Sequence, residues 1–520
     1  VFIELKNSNI NVKNAYDKNL TDYRRDIPYL FNFNQICVLS NGMETRLGSF
    51  AAGYEHFFEW LKISDEKENP DRQAIKENCI SLEYFLRGLA KPEVLLDYIE
   101  NFVLFDTRKG GVVKAKIIAK NHQFHGVNNA YDAFLNREQL HGKLGVFWHT
   151  QGSGKSYSMV MLARKINRKC TGNFTFLIVT DREALDGQIY KTFLRSGFMS
   201  EEEKVQPANS KALRKELKSN KNILFTLIHK FRYDKGKEYP LLSDRDDIIV
   251  IVDEAHRTQY KDLAENMRVG LPNAQYIAFT GTPLLGSKRL TNAWFGDYVS
   301  EYNFADSVKD NATVPLYYVK HVPEAMLQND YLNSDFADIV ENENLTEAEQ
   351  KRLENVYAKE MEVIKRDDIL DFVAHYIAYH FPRRGFRGKG MVISIDKFTA
   401  VTLYDKVNDY WLEEIKKLNS EISKTDDENK KMRLKEIVNY MRSVEMAVVV
   451  SEEAGEKERF EKQGLSIVKH RQRMLEVDEN GADIEDNFKD PTHPLQLVFV
   501  CSMWLTGFDV PSVSTLYLDK

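Results

Sequence analysis

Five short apolar runs follow one another between residues 144 and 283: LGVFWH, TFLIVT, NILFTL, DIIVIVDE and AQYIAFTGTP. Helix-patterned sequence separates them. A strand with one face in water alternates polar and apolar residues, and these runs do not. Both of their faces are therefore expected to be buried, as in a parallel sheet with helices packed on each side. A second region repeats the pattern, with strands expected at GMVISI, MAVVVS, LQLVFVC and STLYLD. A charged helical block, roughly 345 to 381, stands between the two. Within the second region, LEEIKKLNSEISKTDDENKKMRLKEIVNYM reads as exposed helices joined by a hydrophilic turn. At 520 residues the chain is too long for one core, and three domains are expected.

The first run feeds directly into chemistry. In VFWHTQGSGKSYSM a buried strand enters a glycine-containing loop, and a helix is expected after Lys155. Gly152 and Gly154 let the backbone curl so that its N–H groups, that of Ser153 included, point inward around phosphate oxygens. Lys155 is placed to reach the β- and γ-phosphates, and the Ser156 hydroxyl to ligate Mg²⁺. His149 stands where the pattern G-x-x-x-x-G-K-[ST] has its first glycine. About a hundred residues later, IIVIVDEAHRTQY delivers Asp253 and Glu254 to the carboxyl end of a strand buried on both faces. Ligands bind at that edge in open α/β sheets. Asp253 would hold Mg²⁺ through water, and Glu254 would orient and deprotonate the attacking water.

The opening stretch, VFIELKN, carries a second pairing. On a strand Glu4 and Lys6 share one face, and a metal-dependent nuclease needs a carboxylate and a lysine so placed. Glu-x-Lys also occurs at Glu216–Lys218 and Glu414–Lys416, in segments that read as helix surface, so alone it is weak. Cys37, Cys79, Cys170 and Cys501 have no C-x-x-C spacing and read as reduced, mostly buried thiols of a cytoplasmic protein. No H-E-x-x-H spacing suggests zinc, and no apolar run reaches the ~18 residues that span a bilayer, so no membrane association is expected. With a net charge of −6, any DNA contact must rest on local basic patches. EHFFEW reads as core, not as a base-stacking platform, and SDEKENPDRQ as a charged loop. The first residue is valine and the chain stops after an apparent strand, so a segment of a longer polypeptide is expected.

The set Gly-Ser-Gly-Lys-Ser, Asp-Glu-Ala-His and Thr280-Gly281-Thr282-Pro283 resembles the first motor domain of a superfamily 2 helicase or translocase. TDREALDGQ is similar to a DNA-backbone motif of that superfamily, with Thr180 and Arg182 as contacts, and TLIHKF to the next, beginning at Thr226. MWLTGFDVPSV resembles motif V, in which Thr506 and Gly507 would touch phosphate and Asp509 the nucleotide ribose; Ser394 is the candidate of motif IV. KIIAKNHQFHGVNNA resembles the adenine-reading element, with Gln123 recognising N6 and N7. WHTQGSGKS, DEAHRTQY and LTGFDVP, in that order, closely resemble the motor subunit of type I restriction endonucleases.

That resemblance implies an α/β chain of defined parts. Residues 1–65 would be the C-terminal part of a truncated PD-(D/E)xK nuclease domain and 66–94 a helical connection. Two RecA-like parallel-sheet motor domains would follow, at 95–315 and at 316–520, the second truncated before motif VI. VFIELKN would then be the second half of a nuclease site, with Glu4 on metal, Lys6 and Tyr23 catalytic, and Asn19 replacing the glutamine of the family's Q-x-x-x-Y. Gly281 and Thr282 would couple nucleotide state to DNA grip. ATP and Mg²⁺ are the implied cofactors. The implied partners are double-stranded DNA, a specificity subunit and a methyltransferase subunit, the last binding AdoMet. Two other classes stay open on the residues themselves. One is a stand-alone helicase or remodelling ATPase, and the other a nucleotide-gated DNA clamp whose nuclease is inactive, as Asn19 hints.

Overall fold

A computed structural model describes residues 1–107, 113–180, 183–200, 203, 205–232, 239–253, 260–282, 290–320, 366–385, 388–453, 455–478, 481–501, 503–504, 508 and 510–519. Two compact units divide it, Val1–Tyr317 and Tyr318–Lys520.

The first unit opens with a four-stranded sheet of β1 (Phe2–Leu5), β2 (Cys37–Ser40), β3 (Thr45–Gly48) and β4 (Phe58–Glu59), in that spatial order. β1 lies parallel to β2, and the other two pairings are antiparallel. A hairpin of β5 (Val103–Thr107) and β6 (Val113–Ile118) follows. Then comes a six-stranded, wholly parallel sheet built from β7 (Lys143–His149), β8 (Thr175–Thr180), β9 (Ile223–Leu227), β10 (Ile248–Asp253), β11 (Gln275–Thr280) and β12 (Tyr298–Tyr302). Their spatial order is β12-β7-β11-β10-β8-β9. The five expected runs are β7 to β11, and every residue of β8, β9, β10 and β11 is buried, as strands covered on both faces require. β12 escaped the pattern because YVSEY alternates and carries a glutamate; it is an edge strand.

Gly145 takes φ +115° where the ladder from β7 to both neighbours slips by a residue. A Cβ there would lie 2.7 Å from the Asp297 carbonyl oxygen and 3.0 Å from the Val299 side chain. Gly145→Ala is expected to destabilise this unit by about 2–4 kcal/mol, through left-handed backbone strain and overpacking. A lowered urea midpoint of its unfolding transition would show it.

A strap, Leu61–Glu66, lies over the helix Asn121–Leu135. Asn121, His125 and Asn129 recur every four residues and so share one helix face. The Asn121 side chain accepts from the N–H groups of Leu61 and Lys62 and donates to the Lys62 carbonyl. The His125 ring lies 3.2 Å from that same carbonyl, and the Asn129 amide donates to the Glu66 carboxylate at 3.0 Å. Trp60, 1% exposed, packs against Tyr98 and Phe124. One hydrophobic core therefore runs from Val38 and Leu47 of the first sheet through Trp60 to Phe147 and Ile277 of the second. Phe57 and Trp60 are both core residues, as EHFFEW was read. Glu66, 7% exposed, is a buried member of SDEKENPDRQ, the stretch read as a charged loop.

In the second unit β13 (Lys389–Ser394), β14 (Glu445–Val449), β15 (Leu495–Val500) and β16 (Val513–Asp519) form a parallel sheet ordered β14-β15-β13-β16. All four had been expected. The charged stretch becomes two helices, Lys397–Lys424 and Glu428–Ser443, with Asp396 and Asp427 as their N-caps. Trp411 Nε1 donates to the Met441 carbonyl at 3.0 Å and pins the pair together. Of the block from 345 to 381, only Asp367–His380 falls among the described helices. The thiols differ from expectation: Cys37 alone is fully buried, Cys79 is exposed, and Cys170 and Cys501 are intermediate. Among the described residues no helix is long and apolar enough to cross a membrane.

Candidate functional site

β7 ends at His149, the chain turns through Thr150–Gly154, and the helix Lys155–Lys169 begins. Gly152 and Gly154 take φ +79° and +86°, values that favour glycine, and the curl brings the loop to the N-terminus of the helix, where the first N–H groups of any helix look outside it for acceptors. The Lys155 ammonium donates to the His149 carbonyl at 3.1 Å, closing the loop on itself. Two residues of the neighbouring helix hold the loop from behind. His122 Nε2 lies 3.1 Å from the Ser153 carbonyl, and the Gln123 amide donates to the Gly154 carbonyl at 3.0 Å. Gln123 also accepts from Lys120 N–H, so its amide is engaged at both ends with the chain itself. A Cβ on Gly154 would stand 2.6 Å from Gln123 Nε2, so the cradle has room for backbone alone. Ser156 is half-buried in the first helical turn, and Ser153 is buried with its hydroxyl unpartnered.

Register brings further residues to this edge. β7 and β10 flank β11, with Trp148 opposite Thr280 and Asp253 opposite Phe279. Asp253 is buried at the carboxyl end of β10. Gly281 sits against the loop: a Cβ there would be 3.3 Å from Lys155 Nζ, and its carbonyl accepts from Trp148 Nε1 at 3.2 Å. Thr282 N–H donates to the Thr280 hydroxyl. Thus Gln123, Gly152 to Ser156, Asp253, Gly281 and Thr282 converge on one sheet edge. Glu254 lies outside the described residues, as do Arg182, Thr506, Gly507 and Asp509. Among the described residues no group of three or more His, Cys, Asp or Glu is placed to hold a metal ion; a magnesium shared with phosphate oxygens needs fewer protein ligands than that.

The candidate DNA contacts that are described share a trait. Thr180 ends β8, Thr226 stands one residue before the end of the adjacent β9, opposite Val179, and Ser394 ends β13 in the other unit. Each is essentially buried, and each hydroxyl has no hydrogen-bond partner among the described residues. Opposite Ser394 lies Asp519, whose carboxyl is pushed up to about 6 by burial and by the Asp396 carboxylate.

At the first sheet, Lys6 Nζ meets Glu4 Oε1 at 2.8 Å, with the side chains 18% and 16% exposed. Phe2 shares their face of β1, while Val1, Ile3 and Leu5 on the other are exposed. The Tyr23 ring packs edge-on against Phe2 at 5.8 Å, which sets it over the same face as Glu4 and Lys6. Asn19 lies one turn before it, in the π-helical turn Ala15–Leu20.

Sequence reasoning missed the residues behind the phosphate loop. His149 entered only as a departure from a motif, and His122, Ser300 and Glu66 not at all. A histidine in place of the motif's glycine was the one signal that something had to receive its ring.

Comparison with known proteins follows the same order along the chain. A model of the type I restriction enzyme R protein N terminus matches residues 1–56, and one of the SWI2/SNF2 ATPase matches 122–351. A model of type I restriction enzyme subunit R domain 3 matches 394–520. The MjaIXP type I restriction enzyme endonuclease subunit of Methanocaldococcus jannaschii is 34% identical over 99% of this chain and 46% of its own length. The HindI endonuclease subunit of Haemophilus influenzae is 33% identical over 100% of this chain and 47% of its own. The chain thus spans about half the length of these curated relatives. Among solved structures, the type ISP restriction-modification enzyme LlaBIII bound to DNA aligns at a TM-score of 0.42 and 12% identity, over 78% of this chain and 26% of that one, too loose a likeness to argue from. With family models for its start, middle and end in order, and relatives of one kind matching it throughout, the chain belongs to the family of type I restriction enzyme endonuclease (R) subunits.

Proposed function

We propose that this chain carries the motor and cutting chemistry of a type I restriction-modification complex: ATP-dependent translocation of double-stranded DNA coupled to cleavage away from the recognition site. One observation carries the reading, the glycine-curled loop closed on Lys155 at the carboxyl edge where Asp253 and Gly281 also lie. In this reading 1–65 belongs to a PD-(D/E)xK-type nuclease domain, 66–94 connects, and 95–315 and 316–520 are RecA-like motor domains. The relatives' names, type I restriction enzyme endonuclease subunits, support it.

The residues divide the work. The N–H groups of the loop and the Lys155 ammonium bind the phosphates of ATP, and Gln123 lies beside the loop for the base. Ser156 and Asp253 would hold Mg²⁺, which neutralises charge developing on the phosphate oxygens when bound. Glu254 takes a proton from the attacking water, and Asp509 meets the ribose. Gly281, against Lys155, and Thr282 pass the state of the phosphate site along the sheet edge. Thr180, Arg182, Thr226, Ser394, Thr506 and Gly507 grip the DNA backbone, which carries no base sequence, so recognition falls to a specificity subunit. A methyltransferase subunit binding AdoMet completes the complex, which works in the cytoplasm. Glu4 with Lys6, and Tyr23 over the same face, form the cutting site, where Glu4 would hold a second metal.

The test is displacement of a triplex-forming strand placed at increasing distances from the recognition site, with both partner subunits, ATP and Mg²⁺ present. A lag that lengthens with distance, without strand separation, is expected. Unwinding of the duplex would make the protein a helicase, and ATP hydrolysis without movement a clamp.

A further inference from the structure

The histidine that replaces the first glycine of the phosphate-loop pattern is wholly buried. Its ring lies 4.0 Å from that of Phe147 and 5.4 Å from that of His122, centroid to centroid. Its Nε2 is 2.6 Å from the Ser300 hydroxyl on the neighbouring edge strand β12. Ser300 in turn donates to the Glu66 carboxylate of the strap. A hydroxyl has one proton to give. With that proton on the Glu66 bond, Ser300 accepts from His149, which fixes the ring as the tautomer protonated at Nε2. Burial keeps His149 well below the usual histidine range and therefore neutral, as this arrangement needs. Burial pushes the Glu66 carboxyl up, and the Ser300 hydrogen bond pulls it back down. The other Glu66 oxygen is held by Asn129.

Glu66 and Ser300 lie outside the loop, and the link from His149 to the loop runs through the backbone: the His149 carbonyl is the acceptor for the Lys155 ammonium, and the following N–H, of Thr150, donates to the Tyr302 carbonyl on β12. A shift of His149 therefore moves the anchor of the motif lysine. Packing allows little freedom, because the helix carrying Asn129 passes so close that a Cβ on Gly126 would stand 2.5 Å from the Ser300 hydroxyl.

We infer that Glu66, Ser300 and His149 form a buried positioning triad that sets the entry of the phosphate loop, so that a strap residue outside the loop determines how tightly the nucleotide is held. The inference rests on the ATP reading above. It assigns a role to the histidine where the usual motif has none, and it makes Glu66 a positioning residue for nucleotide binding.

The test is titration of the full chain with a fluorescent ATP analogue and Mg²⁺, together with steady-state ATPase kinetics. Ser300→Ala removes the link between Glu66 and His149. It is expected to weaken analogue binding and raise KM by about ten- to hundredfold, the worth of a hydrogen bond to a charged group, with kcat within about twofold. Glu66→Gln keeps an acceptor for Ser300 and is expected to bind within about threefold of the unaltered chain, whereas Glu66→Leu should weaken binding as Ser300→Ala does. Unchanged affinity in Ser300→Ala overturns the triad. If that variant does not fold, equal affinities of Glu66→Gln and Glu66→Leu overturn it instead. A fall in kcat at unchanged KM would also overturn it, since the triad acts on the holding of the nucleotide. Lys155→Ala separates the two layers: if it binds the analogue as well as the unaltered chain does, the ATP reading itself has failed and takes the triad with it.

Discussion

Lys155→Ala is expected to lower ATP hydrolysis on the order of 10²–10³-fold, the usual loss when a charge-stabilising donor is removed from a reacting centre. The fold should survive. Lys155 is half-buried at the start of its helix, and its ammonium donates to the loop carbonyl of His149. Alanine is also a better helix former than lysine, so the helix Lys155–Lys169 should form as before. Under the proposed function movement along DNA draws on hydrolysis, so triplex displacement and cleavage away from the recognition site should vanish together in the assembled complex. A phosphate-release assay beside a cleavage assay measures both. Hydrolysis at the native rate would mean that another lysine serves the phosphates and that the loop is only a turn.

Lys6→Ala is expected to have an equally large effect on cutting and none on the motor. The ammonium lies 2.8 Å from Glu4 on an edge strand of the four-stranded sheet, and its loss removes the charge that would position or polarise an attacking water. Cleavage should fall on the order of 10²-fold or more, with ATP hydrolysis within about twofold of native. Stability should change little, since a part-exposed pair between residues two apart contributes at most about 1 kcal/mol. The decisive comparison is nicking of supercoiled DNA against triplex displacement in one preparation. If hydrolysis stopped as well, the two chemistries would not be separable.

Strands were legible where burial is two-sided. A run such as IIVIVD has no polar residue until its end, and no tertiary information is needed to see that it lies inside a sheet. The phosphate loop was legible for a similar reason, because Gly152, Gly154 and Lys155 are adjacent in the chain and their geometry is local. What could not be read was everything made by distance in sequence. YVSEY looks like surface until β7 is beside it, and then Ser300 and Tyr302 become inward-facing partners of the loop. SDEKENPDRQ has the composition of solvent-exposed chain, yet Glu66 is carried inside because Ser300 and Asn129 are there to receive it. Charged residues are buried when paired, and pairing across more than two hundred positions leaves no mark in a local window. Gln123 was expected as a reader of the adenine; its place beside the loop, with its amide engaged by Lys120 and Gly154, depends on the loop's own curl.

The polar stripe beneath the strap bears on how the protein can be dissected. A fragment beginning near residue 95 looks like a natural motor module, since the phosphate loop and six-stranded sheet lie beyond it. Cutting there would take away Trp60 and leave Phe124 and Tyr98 facing water. It would also strip Asn121, His125 and Asn129 of the backbone groups they now bind. The new surface would be apolar and sticky, of the kind that drives self-association. Shorter pieces made for crystallisation or single-molecule work should therefore keep Trp60 and everything after it, and solubility on either side of that limit becomes a direct readout of where the autonomous folding unit begins.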